Sequence, residues 1–165
     1  MKIIWAPWRM RYIKEHLKEK REKGCVFCIE SEEYRDRENL ILYRGDKCFI
    51  ILNKYPYTSG HLMIAPYRHT GDLESLDEEE LCELMNLAVI SIRALKREYN
   101  PSGLNIGLNI GEAAGAGIEG HIHLHVVPRW VGDTNFMTVI SGTKIIPELP
   151  EETYERLIKY FKKPS

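Results

Sequence analysis

Residues 120–130 read GHIHLHVVPRW, with His121, His123 and His125 alternating against Ile122, Leu124 and Val126. Strict alternation is the signature of a β-strand, because successive side chains leave a strand on opposite faces about 3.3 Å apart along its axis. The apolar set calls for a core on one side, and the three imidazoles then share the other face of the strand, turned toward a cleft. That one segment constrains the fold more than any other, since a helix would scatter the two sets around its circumference.

The flanking sequence supplies the partners such a strand needs. LILYR (40–44) and KCFIILN (47–53) are apolar runs separated by Gly45-Asp46, predicting two strands and a tight turn. KYPYTSG makes a loop, and HLMIAP (61–66) reads as a third strand stopped by Pro66. Asp77 followed by Glu80 forms a capping-box signature, and Leu81, Leu84, Met85, Ala88, Ile92 and Leu95 then recur at helical steps as the inward face of one long helix ending near Tyr99. GLNIGLNIG (103–111) is a fourth strand, EAAGAGIEG a Gly/Ala loop, and HIHLHVV a fifth strand closed by Pro128. Charged residues 10–22 predict an amphipathic N-terminal helix and 151–161 a short C-terminal one. Strands in these runs, without strict β-α-β alternation, predict an α+β fold: an antiparallel sheet of about five strands with one long helix packed on it.

At 165 residues the chain is the size of one domain. Its organisation is expected to be an N-terminal extension (1–24), a core (25–135) and a C-terminal tail (136–165). A net charge of −1 provides no field for a polyanion, so nucleic-acid binding through bulk charge is not expected. No run approaches the ~20 apolar residues that span a bilayer, and MKIIWAPWRMRY meets Pro and Arg too early for a secretory signal, so the expected location is the cytoplasm. GEAAGAG (111–117) precedes a strand and does not open a helix, which excludes a dinucleotide fingerprint. In a reducing compartment Cys25-Val26-Phe27-Cys28 suggests metal or redox chemistry ahead of a disulfide.

The histidines cannot all serve one ion easily. On a strand His121 and His125 start roughly 13 Å apart, whereas zinc ligands sit about 2.1 Å from the metal, so divided roles are expected. A neutral imidazole can attack an activated phosphorus if one ring nitrogen is free and the other is held as N–H by an acceptor. A glycine-rich loop leading into the strand can offer backbone amides to phosphate oxygens. His16, isolated among charges, has no such context. Trp5 and Trp8 fit packing better than a lid over a base, and Trp130 is expected to face the cleft.

HIHLHVVPRW, together with NKYPYTSGHLMIAPYRH (53–69), resembles the histidine triad family of nucleotide hydrolases and transferases, and RWVGDTNFM (129–137) with TKIIPE (143–148) is most similar to its bacterial diadenosine tetraphosphate phosphorylase branch. The resemblance implies His123 as the nucleophile that takes a nucleoside monophosphate and His125 as the group that contacts phosphate and assists the leaving group. It implies Asn53 at the ribose and Asn109 at phosphate or a bridging oxygen. Members often carry Gln or Ser before the triad; here Gly117, Ile118 and Glu119 stand there, so the backbone amides of Ala116, Gly117 and Ile118 are candidates to replace that contact. It further implies a structural zinc held by Cys25, Cys28, His69 and His121, with no organic cofactor, and a homodimer or higher oligomer. Substrates would be adenine nucleotides or diadenosine polyphosphates with inorganic phosphate as a candidate acceptor. A hydrolase or adenosine phosphoramidase using the same residues, and a nucleotide-binding module with little turnover, stay open at this level.

Overall fold

The computed structural model describes residues 24–29, 35–133 and 148–161, so the expected helix over 10–22, Trp5, Trp8 and His16 lie outside the described residues. The chain forms five strands, β1 (Ile41–Arg44), β2 (Cys48–Leu52), β3 (Leu62–Pro66), β4 (Gly103–Leu108) and β5 (Leu124–Arg129), in one sheet ordered β1-β2-β3-β5-β4 with every pairing antiparallel. Among the described residues three α-helices accompany them: a single turn α1 (Asp36–Asn39), the long α2 (Glu78–Tyr99) and α3 (Pro150–Leu157), which runs on as a 3-10 turn over Ile158–Tyr160. This is the predicted α+β layer.

Helix α2 starts where its capping box requires. The Asp77 carboxylate accepts from the Glu80 amide at 2.8 Å, and the Glu80 carboxylate accepts from the Asp77 amide at 2.9 Å. Arg68 closes on the same Glu80 carboxylate at 2.6 and 3.0 Å, tying the helix start to the segment just past β3. The helix ends at Asn100 in the left-handed region, φ 42°. Its buried stripe is Leu84, Leu87, Ala88, Ser91, Ala94 and Leu95, which meets Ile50, Leu52, Leu62, Ile64, Leu124 and Val126 of the sheet. The expected inward face is therefore rotated: Leu81 and Met85 stay 38% and 53% exposed, because Glu83 and Leu84 turn toward the hairpin and the sheet instead. The opposite face of the sheet carries Ile41, Phe49, Ile51, Met63 and Ala65 under Phe27, so β2 and β3 are covered on both sides and read as continuous apolar runs.

The β1–β2 turn is held by the helix as well as by its own geometry. Glu83 accepts three consecutive backbone amides, from Asp46 (2.8 Å), Lys47 (2.5 Å) and Cys48 (2.8 Å). A Cβ on Gly45 would lie 2.4 Å from the Glu83 Oε1, so that position has to be glycine for the carboxylate to reach the turn. Charge-assisted bonds of this kind contribute more than neutral ones. Replacing Glu83 with Ala should cost about 2–4 kcal/mol in urea unfolding, and Gly45→Ala should lose a comparable amount by evicting the same carboxylate; a midpoint unchanged in both variants would show that the clamp contributes nothing.

Candidate active site and metal cluster

The histidine segment departs from a uniform strand at one point. Pairing between β3 and β5 runs Leu62↔Val126, Met63↔His125 and Ile64↔Leu124, and there it stops. Continuing the register would set Pro66 against Ile122, but Pro66 has no N–H, and its carbonyl accepts from His121 Nε2 at 2.8 Å. Ile122 donates its own amide to Thr70 at 2.7 Å. The ladder thus begins at Leu124, with His121 and His123 on the extended approach and only His125 inside β5. At the other end Pro128 does not close the strand. Pairing with β3 has ended at Val126, and the side of Pro128 that lacks a donor faces Thr58, whose hydroxyl bonds the Pro128 carbonyl at 2.9 Å, while pairing with β4 continues to Arg129.

Each histidine is left with a defined free nitrogen. His121 spends Nε2–H on Pro66, so the lone pair of Nδ1 faces Cys25 Sγ at 3.4 Å and Cys28 Sγ at 3.9 Å. Cys28 Sγ also lies 3.2 Å from His69 Nδ1, and the four ligand atoms fall within 4.8 Å of one another. Tetrahedral zinc with bonds of about 2.1 Å to nitrogen and 2.3 Å to sulfur separates N from S by roughly 3.6 Å, so the observed spacings fit. The carbonyl bond on the far nitrogen of His121 is the outer support such ligands normally have. Burial, reinforced by neighbouring Cys25, pushes the Cys28 thiol up, and burial pushes His121 down; both trends favour uncharged groups until a cation is present. The residues present therefore suit a closed two-thiolate, two-imidazole ion.

His123, buried with 6% exposure, donates Nδ1–H to the His121 carbonyl at 2.8 Å, leaving Nε2 as its lone-pair nitrogen. Phe27, carried between the two cysteines, packs on the rings of both His121 and His123 at centroid distances of 5.3 and 4.7 Å. Burial holds the His123 ring below the usual imidazole range, so it is neutral near pH 7.

His125 is oriented by a residue whose role the sequence did not disclose. His61, with 0% exposure, places Nε2 at 2.9 Å from His125 Nδ1. Its own Nδ1 accepts the Tyr57 backbone amide at 3.1 Å, and Asn53 Nδ2 sits 3.3 Å away. Asn53 Oδ1 accepts from the Tyr55 amide at 2.8 Å, which fixes the amide so that its NH₂ points to His61. Donors converge on His61 Nδ1, so His61 carries its proton on Nε2 and gives it to His125 Nδ1. The His125 proton is consequently on Nε2, aimed into the cleft as a donor. Burial and the neighbouring His123 bring His125 down to about 4. The signal for His61 was available: Gly-His directly before an apolar strand, on the same face as Met63, which opposes His125.

The cleft, of about 330 Å³, is lined by Tyr57, Thr58, Asn105, Gly107, Asn109, His125, Val127 and Arg129 among others. Asn109 thus lines the cleft together with His125, whereas Asn53 lies behind His61, its Nδ2 3.3 Å from His61 Nδ1. In the Gly/Ala loop the Ala116 amide is spent on the Gly111 carbonyl at 3.3 Å, while the amides of Gly117 and Ile118 make no hydrogen bond within the described residues. Trp130 is not brought to the cleft; it stands edge-on to Tyr99 at 6.4 Å, toward the end of α2.

Comparison with known proteins agrees with this geometry. The chain matches the HIT domain model over residues 35–131. It is 42% identical over 155 residues to the AP-4-A phosphorylase of Mycobacterium tuberculosis, covering 91% of this chain and 79% of that protein. It is 34% identical over 136 residues to an uncharacterized HIT-like protein of Saccharolobus solfataricus, covering 82% and 93%. Among solved structures it resembles a Zn-bound histidine triad family protein from Mycobacterium smegmatis, with TM-score 0.64, 29% identity, and coverage of 83% of this chain and 92% of that one. With three histidines of defined tautomer at the end of a broken ladder, and a family model matched over its core, the chain belongs to the histidine triad (HIT) family.

Proposed function

We propose that this chain is a nucleotidyltransferase acting on diadenosine polyphosphates, a phosphorylase that uses inorganic phosphate as acceptor. The observation that carries the reading is the His123 Nδ1–H bond to the His121 carbonyl, which presents Nε2 as a lone pair without any further deprotonation. The name of the 42% identical mycobacterial relative, AP-4-A phosphorylase, supports both the dinucleoside polyphosphate class and phosphate as acceptor over water.

In the first step His123 Nε2 bonds the phosphorus of an adenylyl group and the bond to the bridging oxygen breaks. The leaving nucleotide departs as its phosphate oxyanion, which accepts a hydrogen bond from His125 Nε2–H without taking the proton. The adenylated imidazole is cationic, and its Nδ1–H remains on the His121 carbonyl, which stabilises that charge. In the second step an oxygen of inorganic phosphate, hydrogen-bonded by the same His125 Nε2–H, bonds the phosphorus as the phosphorus–nitrogen bond breaks, releasing neutral His123 and ADP while the phosphate proton passes to water. Asn109 and the amides of Gly117 and Ile118 are proposed to hold the transferred phosphate, and Asn53 the ribose from behind His61. Zinc on Cys25, Cys28, His69 and His121 would supply a fixed tie between the N-terminal segment and the approach to β5; these four residues hold that approach, and with it the His121 carbonyl, in place. Two further features support a second copy of the chain as partner: Leu81, Met85 and Val89 form a stripe on α2 exposed by 38–53%, and β4 is an edge strand with Ile106 43% exposed. No described helix is long and apolar enough to cross a membrane. Free thiols at all four cysteines suit the reducing cytoplasm, where we place the protein.

Intact-protein mass after brief exposure to diadenosine tetraphosphate should show a transient gain of one adenylyl group, with ADP formed only when phosphate is supplied. His123→Ala should abolish the adduct and lower turnover on the order of a thousandfold or more while AMP still binds. AMP without phosphate dependence would assign a hydrolase, and binding without any adduct would leave a nucleotide-binding module.

Metal analysis of protein purified without chelator should give one zinc per chain, and Cys28→Ser should lower that stoichiometry and the melting temperature together. A protein with no stoichiometric metal and unchanged stability on chelation would remove the ion from the account.

Acidification tests the state of His125, which burial and the neighbouring His123 hold neutral. A folded-state value near 4 lies below the ordinary 6.5, so between those values the unfolded chain binds more protons and stability falls as pH drops; above 6.5 the contribution is complete. Between pH 7 and pH 5 this amounts to about 2 kcal/mol. Urea midpoints should lose that increment in the wild type but not in His125→Gln; equal pH slopes would contradict the neutral, buried state.

A further inference from the structure

Between His125 and the end of β5 the cleft contains a cation that the two-step chemistry has not used. We propose that Arg129 is a specificity-determining residue that binds the phosphate chain of the leaving nucleotide, so that the protein prefers substrates whose leaving group carries two or three phosphates. The inference rests on the nucleotidyl-transfer reading above.

His123, His125 and Arg129 follow one another along the chain at intervals of two and four residues, so His125 separates the attacking nitrogen from Arg129, which lies roughly 13 Å further along the strand. In-line displacement sends the leaving oxygen away from the attacking nitrogen. On the His123 side the space is filled by Phe27, packed at 4.7 Å. On the other side the cleft continues over β5 and β4, past Gly107 and Asn105 to Arg129. A leaving nucleotide whose oxygen accepts from His125 Nε2–H is therefore directed along this floor, and Gly107, opposite His125, presents no side chain to obstruct it.

Arg129 is paired on one side with a carboxylate and keeps N–H donors beyond that pair. Asp133 engages its inner edge, through Nε at 2.5 Å and Nη2 at 2.8 Å, and Asn105 Oδ1 accepts from Nη1 at 2.8 Å. A guanidinium has five N–H donors, so these contacts leave one on each terminal nitrogen, spaced to fork two oxygens of a phosphate. The side chain is 43% exposed while Asp133 is only 11% exposed, and Arg129 lines the cleft. Tyr57, 53% exposed and near-parallel to His125 with centroids 6.0 Å apart, forms the opposite wall.

Comparing two substrates tests this. Diadenosine tetraphosphate expels a nucleotide that reaches Arg129; adenosine 5′-phosphoramidate expels ammonia, which does not. Arg129→Ala should lower kcat/KM for the former about tenfold or more and change the latter less than about twofold, with Arg129→Lys intermediate because it keeps charge and loses the fork. Equal losses on both substrates, or none on the tetraphosphate, would overturn the assignment. Calorimetry with inorganic tripolyphosphate separates it from the parent reading. If the wild type turns over neither substrate, nucleotidyl transfer fails, yet tripolyphosphate binding that is lost in Arg129→Ala still upholds the subsite. Wild-type and variant affinities that are equal would sink it.

Discussion

One hydrogen bond, from His121 Nε2 to the carbonyl of Pro66, decides how the rest of the site is arranged. It occupies the acceptor that a Pro66–Ile122 ladder contact would have used, and proline supplies no donor in exchange, so β3 and β5 part at Ile64 and Leu124. Parting there releases the approach to β5 to be held by Thr70 and by the 118–121 turn. The same bond fixes the His121 tautomer with Nδ1 toward the cysteines. It also leaves the His121 carbonyl outside any ladder, where His123 Nδ1 reaches it at 2.8 Å. A single proline thus separates an imidazole whose Nδ1 faces two thiols from one whose Nε2 keeps its lone pair.

The three rings differ in function because each has a different partner for its second nitrogen. Pro66, the His121 backbone and His61 serve His121, His123 and His125 in turn. The outcome is a lone pair on His123 beside a proton on His125, with ring centroids 4.9 Å apart. Burial works in the same direction, since it disfavours the charged form of every ring and so preserves one acceptor and one donor near neutral pH. Close packing against Phe27 keeps water from serving as an alternative partner on the His121 and His123 side.

Alternation in 121–126, the capping box at Asp77 and the Gly45-Asp46 turn made the five strands, the long helix and its ends legible in the sequence, because each rests on local periodicity or backbone chemistry. The rotation of α2 was not legible. Leu81 and Met85 are as apolar as Leu84 and Leu87, and only the reach of Glu83 to the hairpin amides distinguishes the faces. The tetrad of Cys25, Cys28, His69 and His121 came from family resemblance and is brought together by contacts 41 to 96 residues apart, which spacing alone does not encode. His61 escaped notice for the same reason: its importance lies in a ring opposite it across 64 residues, and a lone histidine before a strand looks ordinary until that ring is placed.

The broken ladder also explains why the edge of the sheet and the site can be neighbours without conflict. With β3 and β5 diverging at one end, β5 and β4 stay paired over six residues, from Gly103↔Arg129 to Leu108↔Leu124, and form a continuous floor beyond His125. Side chains on that floor alternate, so Asn105, Gly107, His125, Val127 and Arg129 share one face while Ile106 and Val126 take the other. A small residue opposite the proton donor and a held cation at the far end follow from strand register, not from loop conformation. Register is the most strongly determined feature of a sheet buried on one face, because a slip of one residue would exchange every core and cleft side chain at once. The spacing between His125 and Arg129 is therefore fixed by the same apolar packing that holds α2 on the sheet.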